Sequence, residues 1–144
     1  MDRGGDMNEI VFQCETPDMM VRLYDFHPTP SCDYACMSFG LEIRTQAFRV
    51  QKRMQGFLSE LRRLSTDLVT LMKGRTDSLR LSFLGEFFYL EFNRHNEREI
   101  ILKCEIACYE ETREMNFESE GILKNDDLAS LHQQMEIVLN TIDS

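Results

Sequence analysis

Alternating apolar and polar residues predict three strands in the first third of the chain. The segments Glu9–Glu15 and Tyr34–Arg44 place apolar side chains at every second position, which is the period of a β-strand. Alternation is blurred in the remaining segment, Met19–Phe26, so both faces of that strand are expected to be partly buried. A turn at 16–18 separates the first two strands. The loop predicted over His27–Asp33 contains two prolines, which remove donors from a strand ladder. These segments therefore predict a group of neighbouring strands.

The apolar period changes to three and four residues from about Gln51, which is typical of an amphipathic helix. The stripe runs through Met54–Leu68, and Gly74 is a suitable residue to end this helix. A second stripe follows Asn125, a favoured cap residue, and two aspartates that suit the positive end of a helix. The members of the second stripe are Leu128, Leu131, Met135, Val138, Leu139 and Ile142.

Strand alternation returns between the two helices, most clearly over Ile100–Cys108. Further strands are predicted at Leu79–Phe83 and Phe88–Phe92, joined by a turn at Gly85–Glu86, and around Phe117. Connections of hairpin length indicate antiparallel pairing. We therefore expect an α+β fold: a mainly antiparallel β-sheet of about six to eight strands with two amphipathic helices, in the order strands, helix, strands, helix. The helices are expected to cover one face of the sheet.

The composition predicts one globular domain located in the cytoplasm. A flexible N-terminus is expected over residues 1–8 and a single α+β domain over residues 9–144. No apolar run reaches the roughly 18 residues of a membrane span, and the polar start lacks the features of a secretory signal. The odd number of 5 cysteines favours free thiols. The net charge of −9 disfavours nucleic acid and membrane partners and favours a basic protein.

No catalytic or metal-binding motif is recognisable in the sequence. The glycines are scattered, so neither a phosphate-binding loop nor a nucleophile elbow is predicted. Cys104 and Cys108 have a spacing that suggests metal ligands, but on one strand face they would lie roughly 13 Å apart, too far for one tetrahedral ion. We therefore expect no enzyme activity, no cofactor and no metal. The alternative is a small enzyme or ligand-binding protein with a pocket between the helices and the sheet.

Charge is distributed unevenly, and this feature is the most relevant to function. Residues 44–75, around the first predicted helix, include eight bases and two acids, a local sum of +6; residues 86–120 include ten acids and four bases, a local sum of −6. The polar positions of the later strands would form an exposed acidic face with aromatic residues among the charges, as at many protein interfaces. The predicted partner-binding residues are Glu91, Glu105, Tyr109, Glu114 and Glu118.

A series of short apolar motifs extends from about residue 9 to the end of the chain. The motifs are Phe39–Ile43, Phe48, Phe57–Leu61, Leu79–Leu81, Tyr89–Phe92, Ile101–Ile106, Phe117 and Leu128–Leu139. Their order resembles that of WapI-type bacterial immunity proteins, the partners of polymorphic toxins. The chain departs from that pattern before Ile100, where Arg98 and Glu99 stand in place of an expected glycine. The resemblance implies binding and neutralisation of a cognate toxin, without catalytic residues.

Overall fold

Eight strands and two α-helices are formed by the residues that the structure describes. This computed structural model describes residues 8–29, 36–83, 88–110 and 113–143, without the side chains of 108–110, 113 and 143. A short 3-10 turn, Asn125–Asp127, precedes the second helix. The elements in chain order are β1 (Glu9–Cys14), β2 (Met19–Pro28), β3 (Cys36–Thr45), β4 (Arg49–Phe57), α1 (Leu58–Met72), β5 (Ser78–Ser82), β6 (Phe88–Arg94), β7 (Glu99–Glu110), β8 (Arg113–Lys124) and α2 (Leu128–Asp143).

The strands form two antiparallel four-stranded sheets, ordered β1-β2-β3-β4 and β5-β6-β7-β8. The predicted α+β class, the strand number and the alternation of strand groups with helices are confirmed in outline. The expectation of one sheet with one helix-covered face is wrong, because the apolar faces of the two sheets meet each other. The rings of Phe39 and Phe83, one from each half of the chain, have centroids 5.2 Å apart, and those of Phe48 and Phe117 are 5.1 Å apart. We call these apolar sides the inner faces and the opposite sides the outer faces.

Both helices bury the stripes that their periodicity predicts. Leu61 and Leu68 of α1 and Met135 and Val138 of α2 are fully buried in the core. The helices also contact each other, and α2 lies beside the edge of β1. None of the described helices is long and apolar enough to cross a membrane.

The start of α1 differs from the sequence prediction. The helix begins at Leu58, not near Gln51, because residues 49–57 form β4. Met54, counted in the helical stripe, is buried as an inner-face strand residue. The side chain of Glu60 accepts a hydrogen bond from the Phe57 N–H at 2.8 Å, which fixes the start of the helix. Residues 51–53 before Met54 are all polar and carry no apolar period, so no pattern in the sequence marks the point where β4 ends and α1 begins.

Two further local predictions are corrected, and one is confirmed. His27, predicted in a loop, is the penultimate residue of β2, beyond a shift in register at which Asp25 has a φ of 54°. Asn125 does not cap a helix with its side chain, since its Oδ1 accepts a hydrogen bond from Arg94 Nη2 at 3.0 Å. Gly74 ends α1 as predicted: it has a φ of 74°, and its N–H bonds to the Leu71 carbonyl. The predicted turn at Gly85–Glu86 lies outside the described residues.

The cysteines are not all free thiols. Cys36 is disulfide-bonded, which contradicts the prediction at that position and removes one argument for a reducing compartment. Cys14 and Cys104 are free and buried between the two sheets. Cys104 Sγ lies 3.8 Å from Met19 Sδ. The side chains of the remaining two cysteines lie outside the described part of the structure.

Candidate binding face on the second sheet

The five predicted binding positions lie on one outer face of the second sheet. β7 alternates strictly: Cys104 and Ile106 are buried on the inner face, so Glu105 between them points outward. The register then places Glu118 of β8 directly opposite Glu105. The other predicted positions, Glu91, Tyr109 and Glu114, also stand at outward positions of their strands. For Tyr109 only the backbone position is described. The structure thus brings the predicted set together.

Acidic residues outnumber basic ones on this surface. Among the described side chains at outward positions, this surface carries six carboxylates and three basic groups, a net charge of −3. Glu99 and Lys124 lie at one end of it. We call the remainder the acidic face and define it by Arg80, Tyr89, Glu91, Lys103, Glu105, Glu114, Glu118 and Glu120.

Two like charges occupy directly opposed positions at the centre of the acidic face. Glu105 and Glu118 are cross-strand neighbours, an arrangement that destabilises a sheet. Lys103 Nζ lies 3.8 Å from Glu118 Oε1 and offsets part of that repulsion. No basic group lies within ion-pair distance of Glu105 among the described residues. The acidic face therefore holds an incompletely neutralised pair of carboxylates.

Tyr89 belongs to this face, although it was not among the predicted residues. Its hydroxyl donates a hydrogen bond to Glu105, and this bond, together with burial, raises the pKa of Tyr89 to about 12. The guanidinium of Arg80 lies over the Tyr89 ring at 4.0 Å from its centroid. Alternation alone places Tyr89 on the polar side of β6. Its position opposite Glu105 depends on strand register, which the sequence does not contain.

The acidic face contains an open depression of about 330 Å³ beside Glu105. The Glu105 carboxylate and the Tyr89 ring both line this depression. A cationic side chain of a partner could bind there through an ion pair with the carboxylate and a cation–π contact with the ring. The lining residues are Ser82, Phe88, Tyr89, Glu105, Ala107, Glu114 and Asn116.

A larger groove of about 580 Å³ lies between α1 and β5. It corresponds in position to the pocket between helix and sheet that an enzyme or ligand-binding protein would need. Its lining contains no histidine or cysteine, and Arg63 is ion-paired along the helix with Asp67 at 3.8 Å. The lining therefore offers no recognisable nucleophile with a base. The lining residues are Ser59, Glu60, Arg63, Leu64, Asp67, Leu79, Arg80, Leu81 and Ser82.

A histidine–carboxylate pair occurs on the first sheet, away from both depressions. His27 Nε2 lies 2.7 Å from Asp25 Oδ1, and Arg53 Nη1 donates to the other oxygen of Asp25 at 2.9 Å. These hydrogen bonds, His27 first, hold the pKa of Asp25 below its usual value. More than half of each side chain of the pair is exposed, so water weakens the interaction between the two groups and the pair does not lie in a cleft. Among the described residues, no group of three or more histidines, cysteines and carboxylates could hold a metal ion.

The basic segment found in the sequence is divided between two surfaces. Arg44, Arg49 and Arg53 point from β3 and β4 on the outer face of the first sheet, whereas Arg62 and Arg63 are exposed on α1. The segment therefore does not form one basic helix surface. The acidic face of the second sheet is the more continuous of the two charge features.

Comparison with known proteins identifies a similar fold and no family. No protein-family model matches the chain, and no curated protein matches it. A solved structure described as MRP1/MRP2 of Trypanosoma brucei is similar, with a TM-score of 0.51, 12% sequence identity, and coverage of 92% of this chain and 83% of that chain. At that identity the similarity shows the overall fold alone. The resemblance to WapI-type immunity proteins therefore stays a prediction.

Proposed function

We propose that this protein acts by binding another protein through the acidic face, and that the partner presents a basic surface. The direct opposition of Glu105 and Glu118 carries this proposal. In the free protein this pair costs stability, because two negative charges share one small area of sheet. A lysine or arginine of a partner placed between them would remove that cost on binding, so the arrangement favours the bound state.

The surrounding residues support a protein partner. Tyr89 adds aromatic contact area beside the carboxylates, and tyrosine and arginine are enriched at binding hot spots. Its hydrogen bond to Glu105 orients the carboxylate before a partner arrives. Such preorganisation reduces the ordering cost of association.

We propose a bacterial toxin as the partner, acting as the resemblance to immunity proteins implies. A nuclease toxin has a basic surface for its phosphate-containing substrate, and an acidic face could cover that surface by matching the charge of the substrate. The protein would then meet its toxin in the cytoplasm. A gene for a large toxin beside the gene for this protein is the genomic arrangement that this proposal expects.

The test uses a double charge reversal, Glu105→Lys with Glu118→Lys. A partner is first isolated from the native host with the wild-type protein as bait, and association rates are then measured over a series of salt concentrations. For the wild type we expect the rate to fall steeply as salt increases, because electrostatic steering is screened. The double variant should associate at least about tenfold more slowly at low salt and lose most of the salt dependence.

A matched control separates the acidic face from net charge. Glu97→Lys with Asp126→Lys makes the same change in net charge at two exposed positions outside the acidic face. This control should retain most of the wild-type rate. Equal slowing in both double variants, or a rate independent of salt, would refute the assignment of the binding face.

A further inference from the structure

Three of the four edge strands carry a feature that hinders pairing with another strand. At β1, the Val11 N–H donates to Gln134 Oε1 of α2 at 2.9 Å, so a helix side chain occupies the edge. In β4, Lys52 lies opposite the inner-face residue Leu41 and therefore stands at an inward position. An inward-pointing charge at an edge strand hinders pairing with another strand. The edge of β8 is joined to Glu15 by two backbone hydrogen bonds of 2.8 Å to Ile122. Such features are the usual protection of sheet edges.

At the remaining edge, that of β5, the only such feature among the described residues is at the start of the strand, where Thr76 Oγ1 donates to the Ser78 carbonyl at 3.0 Å, so the outward backbone groups of Arg80 and Ser82 stay open. Ser78–Ser82 pairs with β6, and no backbone hydrogen bond joins these residues to any other described element. The unpaired side of β5 opens into the groove of about 580 Å³ beside α1. Leu79 and the edges of the buried Leu64 and Leu81 form an apolar strip within this groove, and the rest of its lining is polar or charged. The open part of this edge strand, Arg80 to Ser82, thus lies along a groove that contains an apolar strip.

We propose that this groove binds an extended polypeptide segment of a partner protein, which adds to β5 as a further strand. The unpaired backbone groups of β5 require donors and acceptors repeated along a line, which an extended chain supplies and a small molecule does not. The groove volume is within the range of about 300–1,000 Å³ that is typical of ligand sites.

The residues around β5 specify the chemistry of the bound segment. A strand has alternate side chains on opposite faces, so every second side chain would enter the groove and contact Leu64, Leu79 and Leu81. The other side chains would lie beside Arg80, whose guanidinium has no carboxylate within ion-pair distance among the described residues. The preferred segment therefore alternates apolar residues with polar ones and carries a carboxylate beside Arg80.

This site goes beyond the acidic face and does not depend on it. The two surfaces adjoin at Arg80 and Ser82, but the groove uses backbone groups and an apolar strip, whereas the acidic face uses carboxylates. A segment with one carboxylate beside Arg80 suits the groove, whose other charges are two carboxylates and one arginine, and a basic surface suits the acidic face. Failure of one proposal leaves the other intact, because different changes to the protein test them.

The experiment selects peptides from a random dodecapeptide display library on the full-length protein. We expect enriched peptides to alternate apolar and polar residues, with an acidic residue at one polar position. Each enriched peptide is then synthesised in two forms, with N-methyl groups on either the odd or the even backbone amides. One form should lose about tenfold or more in affinity for each blocked hydrogen bond, and the other should bind nearly as the parent does.

Two kinds of measurement on the protein test whether the peptides bind at β5, and neither requires a variant that destabilises the fold. Peptide binding should slow amide exchange within Ser78–Ser82, and the Glu105→Lys, Glu118→Lys variant should bind the peptides unchanged. Arg80→Gln should weaken the acidic peptides about three- to tenfold, consistent with the loss of one exposed ion pair. A selection that enriches no peptide, equal loss from both N-methylated forms, or unchanged exchange in β5 would overturn the proposal.

Discussion

Arg49 Nε lies 2.7 Å from Glu42 Oε2, and the two residues are diagonal neighbours on adjacent strands of the first sheet, since Glu42 lies opposite Gln51 and Arg49 lies opposite Arg44. The second oxygen of Glu42 accepts a hydrogen bond from Arg22 Nη1 at 3.2 Å. The carboxylate is only 3% exposed although it belongs to an outer face, because the arginine side chains cover it. A buried carboxylate with two arginine partners satisfies the requirement that buried charges be paired.

Replacing Glu42 with glutamine is expected to destabilise the protein by about 1–3 kcal/mol, the usual cost of a lost buried charge-assisted hydrogen bond. The estimate lies below that for a fully buried pair because Arg22 and Arg49 reach solvent. Denaturant unfolding of both proteins measures the difference. Glu97→Gln, on an exposed loop, serves as the control and should change stability by less than about 0.5 kcal/mol.

The contribution of Glu42 should depend on pH. Burial by itself raises the pKa of this carboxyl, but the hydrogen bonds and charges of Arg49 and Arg22 outweigh it and lower the pKa overall. A pKa that is lower in the folded state gives stability that is present above the unfolded value, about 4.3, and is lost as pH falls through the folded value. The stability difference between wild type and Glu42→Gln should therefore be constant from pH 6 to 8 and shrink below about pH 4. A difference that grows on acidification would contradict this sign.

Leu61 and Leu131 are expected to anchor the two helices. They are 0% and 2% exposed, and each lies within the apolar stripe of its helix. Truncation of either residue to alanine should cost about 2–5 kcal/mol. Thermal and denaturant unfolding measure the loss, with the exposed Gln133→Ala in α2 as the control. A loss of less than about 0.5 kcal/mol at either leucine would mean that its helix contributes little to the core.

The helices were predictable because each segment carries its own period, whereas the arrangement of the strands was not. Alternation over Ile100–Cys108 identified the inner face of β7 correctly for the side chains that the structure describes, which end at Ile106 on that face. It could not show that the apolar side of β7 faces another sheet, since a strand buried by a helix has the same pattern. The boundary of α1 failed for a related reason: Met54 suits the inner face of a strand and the stripe of a helix equally well.

The candidate site was predicted in part. Four described glutamates of the predicted set share one outer face because they all lie at polar positions of alternating strands. The opposition of Glu105 with Glu118 follows from strand register, which is determined by the packing of the inner face as well as by local sequence. Arg94 was missed entirely. Its guanidinium bonds to the Leu71 carbonyl at 2.6 Å and to Asn125, and so joins α1 to the start of α2. No local pattern distinguishes this arginine from a surface residue.

The two buried thiols should be unreactive in the folded protein. Burial is the main reason that the pKa of Cys14 and of Cys104 is raised to about 12. Because this pKa lies far above pH 8, both thiols stay protonated at that pH, and the thiolate is the nucleophile. Alkylation followed by peptide mass spectrometry should label these positions only after denaturation, and Cys36 only after reduction as well. Native mass spectrometry should show no bound zinc. Labelling of Cys14 or Cys104 in the native protein at the rate of a free thiol would contradict this prediction.

Gly121 and Gly40 provide a matched pair that tests where the two sheets meet. A Cβ on Gly121 would lie 2.7 Å from the Cβ of Cys14 and 3.0 Å from the Pro17 carbonyl oxygen. Neither atom moves without backbone displacement, and the adjacent Ile122 is hydrogen-bonded to Glu15. Gly121→Ala should therefore destabilise the protein by about 1–3 kcal/mol, the usual cost of overpacking.

A Cβ on Gly40 would be even closer to its neighbour, at 2.5 Å from the Tyr24 ring. That ring lies on the outer face, where it is partly exposed, so it can rotate towards solvent. Gly40→Ala should consequently cost less than Gly121→Ala despite the shorter distance, and its main effect should be loss of the contact between Tyr24 and Arg22. Unfolding free energies of the two variants decide the question. A larger loss of unfolding free energy in Gly40→Ala than in Gly121→Ala would contradict this prediction. It would mean that the Tyr24 ring cannot rotate away and that the two sheets are not closely packed at Gly121.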